Sequence, residues 1–346
     1  MKVLIVDDSV VYRSAIKMAL AQSSLCETVD TANNGKAALD KLKTAQYDIV
    51  TLDIEMPVMD GVEAIQEIRK INKEIPIIVF SAQNNHAASK ALRALENGAS
   101  DIVKKIEGSG DISENLKMIQ SELLPRFKAL VENSKKTKNK TAAAGPVNKD
   151  TKAYLKKSKP QFLGIGSSTG GPDTLKSIIS KIKHIHVPIF IVQHMPPVFT
   201  TQLAKALDKI THYTVVEAAN NMQVQKDHIY IAPGDYHMRV VKAENGYLIR
   251  LDQSEKVCFV RPAVDVLFKS MSETFSDKPI ACLVLTGMGS DGAQGSQYIK
   301  SKGGTVLIQD ESSSIVWGMP KAVFEINAYD DILHLDQIPE IIDLLS

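Results

Sequence analysis

Two hydrophobic patterns alternate along this chain. Short runs are apolar at nearly every position, as in Val3-Leu-Ile-Val6 and Ile280-Ala-Cys-Leu-Val-Leu285. Between them lie longer stretches whose apolar residues recur every three or four positions. The first pattern predicts strands buried on both faces, and the second predicts amphipathic helices packed on them. Strands are predicted over 3–6, 26–32, 49–52, 77–80 and 102–103, and helices over 9–20, 35–43, 62–71, 87–96 and 112–124. Strict alternation of this kind implies a doubly wound parallel sheet.

The pattern breaks after Leu130 and resumes near Gln161. From Lys135 to Lys159 there are nine lysines and one acid, around Thr141-Ala-Ala-Ala-Gly-Pro146. Like charge and low hydrophobicity predict an extended tether. Beyond it come a strand over 162–166, a helix over 172–182, a strand over 187–192 and a helix over 199–207. Runs over 213–217, 228–232, 237–242 and 247–251 are separated by glycine and asparagine turns and read as antiparallel strands or hairpins. A helix over 263–275, a strand over 280–285, a helix over 294–300, a strand over 305–308 and a helix over 339–345 follow. The expected fold class is α/β: two doubly wound parallel-sheet domains, 1–125 and 161–346, joined by a basic flexible linker over 126–160. The second domain is expected to carry an antiparallel portion.

In such sheets the working crevice lies at the carboxyl ends of the strands, so the residues there are the candidates. In the first domain Asp7 and Asp8 follow the first strand, Asp53 the third, Ser81 the fourth and Lys105 the fifth. Three carboxylates at one edge repel one another unless a cation binds, and their oxygens suit Mg²⁺. A carboxylate beside Mg²⁺ can accept a phosphoryl group, with a lysine and a hydroxyl holding its oxygens.

In the second domain Gly166-Ser-Ser-Thr-Gly170 has the G-x-S-x-G spacing, with Ser168 at the apex between a predicted strand and helix. A glycine loop there could equally cradle phosphate at the helix start. Two more strand ends bear on the choice. His194 and Asp291 each follow a predicted strand, so serine, histidine and aspartate can meet at one edge. That set gives a nucleophile, a base and a group to orient the base. Asp291 also suits the N-cap of the helix that follows it. Oxyanion donors are available from the Thr169 amide and from the turn Gly287-Met288-Gly289. The order Ser…His…Asp differs from that of the α/β-hydrolases.

Composition narrows the class. A formal net charge of +1 over 346 residues argues against a general nucleic-acid binder. Cys26, Cys258 and Cys282 are scattered with no CxxC pair, so neither a disulfide framework nor a zinc site is expected. The N-terminal apolar run is short and acids follow at once, so no signal peptide is expected. No apolar run approaches the length of a membrane span, and a cytoplasmic protein without membrane insertion is expected.

The motifs resemble two families. Asp7-Asp8, Asp53-Ile-Glu-Met-Pro-Val-Met-Asp-Gly61, Ser81-Ala82 and Gly98-Ala-Ser-Asp-Ile-Val-Lys-Lys105 resemble the receiver domain of two-component response regulators, a flavodoxin-like fold. The resemblance implies that Asp53 takes a phosphoryl group from a histidine kinase, with Mg²⁺ on Asp7 or Asp8, Asp53 and the Glu55 carbonyl. Receivers usually carry an aromatic where Ile102 sits and a proline where Ile106 sits. Gly166-Ser-Ser-Thr-Gly-Gly171, Gln193-His-Met-Pro-Pro197, Ile231-Ala-Pro-Gly234, Arg261-Pro-Ala-Val-Asp265, Thr286-Gly-Met-Gly-Ser-Asp-Gly292 and Trp317-Gly-Met-Pro320 resemble the chemotaxis protein-glutamate methylesterases. That resemblance implies hydrolysis of glutamate γ-methyl esters on chemoreceptor helices with release of methanol, deamidation of receptor glutamines, and no cofactor for the esterase reaction.

Overall fold

The computed structural model describes residues 1–105, 112–137, 159–276 and 278–345. The chain divides into two compact units, Met1–Lys140 and Thr141–Ser346. Ile106 and most of the lysine-rich stretch lie outside the described residues.

The first unit holds β1 (Lys2–Val6), β2 (Thr28–Ala32), β3 (Ile49–Asp53), β4 (Ile77–Ser81) and β5 (Asp101–Lys104) in a parallel sheet of order β2-β1-β3-β4-β5. β3 and β4 are buried along their whole length, as continuous apolar runs require. Helix starts are fixed by side chains. Ser9, Asn34, Asp60 and Asn84 each accept an N–H from the first turn that follows them. The strand order reverses between β1 and β3, and that crevice gathers the ends of β1, β3 and β4.

The last helix of this unit differs from expectation. It spans Ile112–Thr137 and continues through Pro125. A proline removes one helical hydrogen bond, but the apolar stripe carries on. Ile119, Leu123, Phe127, Leu130 and Val131 are all buried at helical spacing. Packing of that stripe outweighs the break.

The second unit is built on seven parallel strands. They are β6 (Phe162–Ser167), β7 (Ile189–Gln193), β8 (Thr214–Glu217), β9 (His228–Ile231), β12 (Ile280–Val284), β13 (Thr305–Gln309) and β14 (Asp331–Leu333), in the order β14-β13-β12-β6-β7-β9-β8. A separate antiparallel ribbon pairs β10 (His237–Ala243) with β11 (Gly246–Asp252). The hairpin expectation therefore holds for 237–252 only. The runs at 214–217 and 228–231 pair in parallel and extend the main sheet. The helix Phe199–Asp208 stands between β7 and β8 and makes the crossover. The helix Met319–Glu325 and β14 are additional elements, too short for a periodic signal. Phe162 stacks on Phe275 at 3.6 Å within the core between this sheet and its ribbon. Among the described residues no helix is long and apolar enough to cross a membrane.

In this sheet the direction of winding changes at β6, with β7 on one side and β12 on the other. Ser168, His194 and Asp291 follow these three adjacent strands. The topology thus puts all three at the switch-point edge.

Candidate active sites

The receiver edge holds an ion-pair cluster. Lys105 Nζ lies 2.9 Å from Asp7 Oδ2 and 2.7 Å from Asp53 Oδ2. Lys104 points to solvent instead. The same two carboxylate oxygens are buried and accept no well-directed hydrogen bond. Burial, with the neighbouring Asp7 charge adding to it, raises the Asp53 pKa to about 6 against the pull of Lys105. Burial also works against the charge on Lys105, but the Asp53 and Asp7 carboxylates outweigh it and raise its pKa.

Carboxylate oxygens of Asp7, Asp8 and Asp53 lie within 4.8 Å of one another. One ammonium among three carboxylates leaves negative charge to balance, and two buried oxygens still lack directed partners. This donor set fits a hard divalent cation such as Mg²⁺. A cavity of 140 Å³ beside it is lined by Asp8, Asp53, Glu55, Ser81 and Lys105. Ser81 is buried, and its hydroxyl donates weakly to the Ala82 carbonyl at 3.3 Å. The Glu55 side chain is turned toward Lys90, 3.9 Å away. Tyr12 was not anticipated. Its ring lies 5.2 Å from Lys105 Nζ and edge-on to Phe80. It brings an aromatic to the cluster, whereas Ile102 is simply core.

In the second unit, β6 ends in a tight turn. Gly170 has φ +77°, and a Cβ on Gly171 would collide with Gln193 Oε1. Gln193, the last residue of β7, ties the turn together. Its Oε1 accepts from Ser167 Oγ at 2.7 Å, and its Nε2 donates to the carbonyls of Ser168 at 2.9 Å and His194 at 3.2 Å. The His194 amide donates to Ser167 O at 3.0 Å. One buried amide side chain therefore holds the serine turn and the histidine together.

His194 Nε2 lies 2.8 Å from Asp291 Oδ2, with the histidine side chain 10 % and the aspartate 2 % exposed. An ionised carboxylate only accepts, so Nε2 carries the hydrogen and Nδ1 is left with the lone pair. Among the described residues Ser168 Oγ makes no hydrogen bond to His194 or to any other group. Serine and histidine are neighbours here, but their contact is not closed. Such contacts commonly tighten only when substrate is bound.

Asp291 is also a helix cap, though not of the helix that follows it. Its Oδ2 accepts from the Val264 amide at 2.6 Å and its Oδ1 from the Asp265 amide at 2.9 Å, at the start of the helix Val264–Thr274. Asp265 returns the favour. Its Oδ1 accepts from Gly292 at 2.9 Å and Gly295 at 2.6 Å, at the start of the helix Ala293–Ser301. Two buried acids thus cap each other's helices. Burial and the nearby Asp291 charge push the Asp265 pKa up to about 6.

The turn 287–289 is anchored to the Trp317-Gly-Met-Pro320 segment. The Gly287 amide donates to Val316 O at 2.9 Å, and Gly287 O accepts from Gly318 and Met319. Among the described residues the Met288 amide donates to nothing. Thr169 is buried, and its carbonyl accepts from Thr286 Oγ1 at 3.0 Å. Gln309 is a second unanticipated support: its Oε1 accepts from the Thr286 amide at 2.8 Å. The legible signal for Gln193 and Gln309 is the same, a polar residue closing a run of at least three apolar ones in a fully buried strand.

A phosphate-type acid cluster on one sheet and a Ser, His, Asp edge on the other define a response regulator with a hydrolase as its output. Residues 3–117 match the response regulator receiver domain and residues 163–342 the CheB methylesterase family. A protein-glutamate methylesterase/protein-glutamine glutaminase of Nocardioides sp. is 40 % identical over 350 residues, covering 100 % of this chain and 95 % of that protein. One from Halobacterium salinarum is 39 % identical, covering 98 % and 96 %. The crystal structure of the Thermotoga maritima CheB methylesterase catalytic domain superposes with a TM-score of 0.52 at 40 % identity, covering 54 % of this chain and 99 % of that one. The chain belongs to the CheB methylesterase family, and it carries that family's hydrolase unit behind a receiver.

Proposed function

We propose that this protein removes methyl groups from glutamate γ-methyl esters on the cytoplasmic helices of chemoreceptors, releasing methanol, and that it deamidates receptor glutamines by the same route. It acts in the cytoplasm in chemotactic adaptation. Ser168 attacks the ester carbonyl, and His194 Nδ1 takes its proton. Asp291 holds the imidazole and balances its positive charge. The oxyanion is held by the amides of Thr169 and Met288, each such donor being worth about 3 kcal/mol. His194 then protonates the leaving methanol, and water attacks the acyl-enzyme to regenerate Ser168. The observation that carries this reading is the 2.8 Å His194–Asp291 contact, held beside Ser168 by Gln193.

The receiver governs this reaction. Asp53 accepts a phosphoryl group from a chemotaxis histidine kinase, and Lys105 and Ser81 hold its oxygens. Asp7 or Asp8, Asp53 and the Glu55 carbonyl would hold Mg²⁺, which would supply positive charge to the phosphoryl oxygens. Phosphorylation activates because it favours the arrangement in which the esterase edge is open to substrate. Replacing Ser168 by alanine is expected to abolish methanol release while leaving the fold intact. Retained release in that variant rules out the assignment.

A further inference from the structure

Beside the Asp291 carboxylate lies a turn whose residues do not suit its shape. The Val257 amide donates to Val260 O at 3.2 Å and the Val260 amide to Val257 O at 3.0 Å, closing a two-residue hairpin over Cys258-Phe259. Both central residues have positive φ, 50° and 65°. That is the type I′ geometry, which favours Asn-Gly because a Cβ crowds the backbone there. Local preference opposes this conformation, so the surroundings impose it. Arg261 braces the base of the turn. Its guanidinium donates to Asp235 Oδ1 at 3.0 and 2.7 Å and to the carbonyls of Gln253 and Ser254 at 2.7 Å each.

The braced turn presents two faces. Cys258 is exposed, yet its sulfur lies on the side of the acids: it and the carboxylate oxygens of Asp265 and Asp291 lie within 4.8 Å of one another. The next residue, Phe259, is 95 % exposed, more than any other large apolar side chain among the described residues. A bare phenyl ring is thus carried on a braced backbone turn, one residue from a sulfur that lies within 4.8 Å of the acid paired with His194. A backbone fixed in advance loses little freedom when a partner covers the side chain it carries.

We propose that Phe259 is a substrate contact: it packs against an apolar side chain of the receptor helix next to the glutamyl ester and sets affinity for the protein substrate. This rests on the esterase reading above. A helix that offers a methylated glutamate also offers the residues three and four positions away on the same face. Phe259 is exposed to such neighbours, one residue from Cys258, whose sulfur lies within 4.8 Å of an Asp291 carboxylate oxygen. The acyl-transfer chemistry itself does not need it.

The test uses the full chain with phosphodonor and methylated receptor membranes. Phe259→Gly suits φ 65° and relieves the turn, so its thermal midpoint is expected to hold or rise. Its KM is expected to rise about tenfold with kcat near the wild-type value, the loss of one aromatic contact. Phe259→Trp restores KM. The rate of Ser168 labelling by a small fluorophosphonate is unchanged in both variants. An unmoved KM in Phe259→Gly overturns the proposal. So does a matching loss of labelling, which would place the effect on the catalytic geometry. A rise in the rate without phosphodonor also overturns it, because Phe259 would then contact the receiver rather than the substrate. A wild-type chain that neither releases methanol nor takes the label removes the esterase reading, and this proposal with it.

Discussion

Asp291 is expected to serve catalysis and folding together, and the two can be separated by comparison with Ser168. The Asp291 carboxylate accepts three N–H groups, from His194, Val264 and Asp265. Asp291→Ala leaves the Val264 and Asp265 amides without partners in a buried place. Each orphaned amide costs about 1–3 kcal/mol, and loss of the negative charge at the helix N-terminus adds roughly 0.3–2 kcal/mol. The sum is roughly 2–8 kcal/mol, and even its lower end lowers the melting temperature of a unit this size by roughly 5–10 °C. The rate is expected to fall by about 10⁴, since the imidazole loses the group that fixes its tautomer. Ser168→Ala should lose the activity as completely with a thermal midpoint nearly unmoved, because Ser168 Oγ has no partner to lose. Differential scanning calorimetry and methanol release on the same preparations give both numbers. An Asp291→Ala protein that melts with the wild type refutes the capping argument. One that retains wild-type turnover refutes the triad.

Other expectations concern charge and packing. The Asp53 pKa is raised to about 6 in the folded receiver. Its ionisation therefore costs stability above pH 6, and stability is regained as pH falls from 6 toward 4. Asp53→Asn should stabilise the receiver at pH 7 by on the order of 2 kcal/mol in urea unfolding, and Mg²⁺ should stabilise the wild type but not this variant. A less stable Asp53→Asn receiver contradicts the burial argument. His237 is buried and neutral, its Nε2 at 3.0 Å from Glu255 O and its Nδ1 accepting from the Ala263 amide at 3.2 Å. Burial lowers its pKa, so its contribution to stability is fully present above about pH 6.5 and is lost as pH falls further. His237→Asn, scanned by thermal melting against pH, should flatten that slope; an unchanged slope assigns it elsewhere. Gly171→Ala drives a methyl into Gln193 Oε1 and should lower both stability and methanol release, and a neutral result contradicts the role given to Gln193.

Much of this was readable from the chain because both sheets are parallel. Strands buried on both faces give continuous apolar runs, and their ends mark the working edge. That is why Asp53, Lys105, Ser168, His194 and Asp291 stand out in the sequence as candidates. What stayed illegible depends on contacts distant in sequence. Pro125 reads as a helix stop, yet Phe127, Leu130 and Val131 pack well enough to carry the helix through it. The run 214–217 looks like any edge strand, and only its pairing with β9 shows that it is parallel. Asp291 reads as a cap for the helix beside it, whereas its carboxylate caps one that begins 27 residues earlier in the chain. Tyr12 takes its importance from what it touches, so no local pattern announces it, and the polar end of an apolar strand marks Gln193 without saying what it holds.

The central claim is that Asp53 controls a serine esterase centred on Ser168. It is tested most directly by methanol release from methylated receptor membranes, measured with and without a small phosphodonor and Mg²⁺, for the wild type, Asp53→Asn and Ser168→Ala. The account predicts release by the wild type that rises with phosphodonor, release by Asp53→Asn that ignores it, and none from Ser168→Ala. Methanol release by Ser168→Ala, or stimulation of Asp53→Asn equal to that of the wild type, would contradict it.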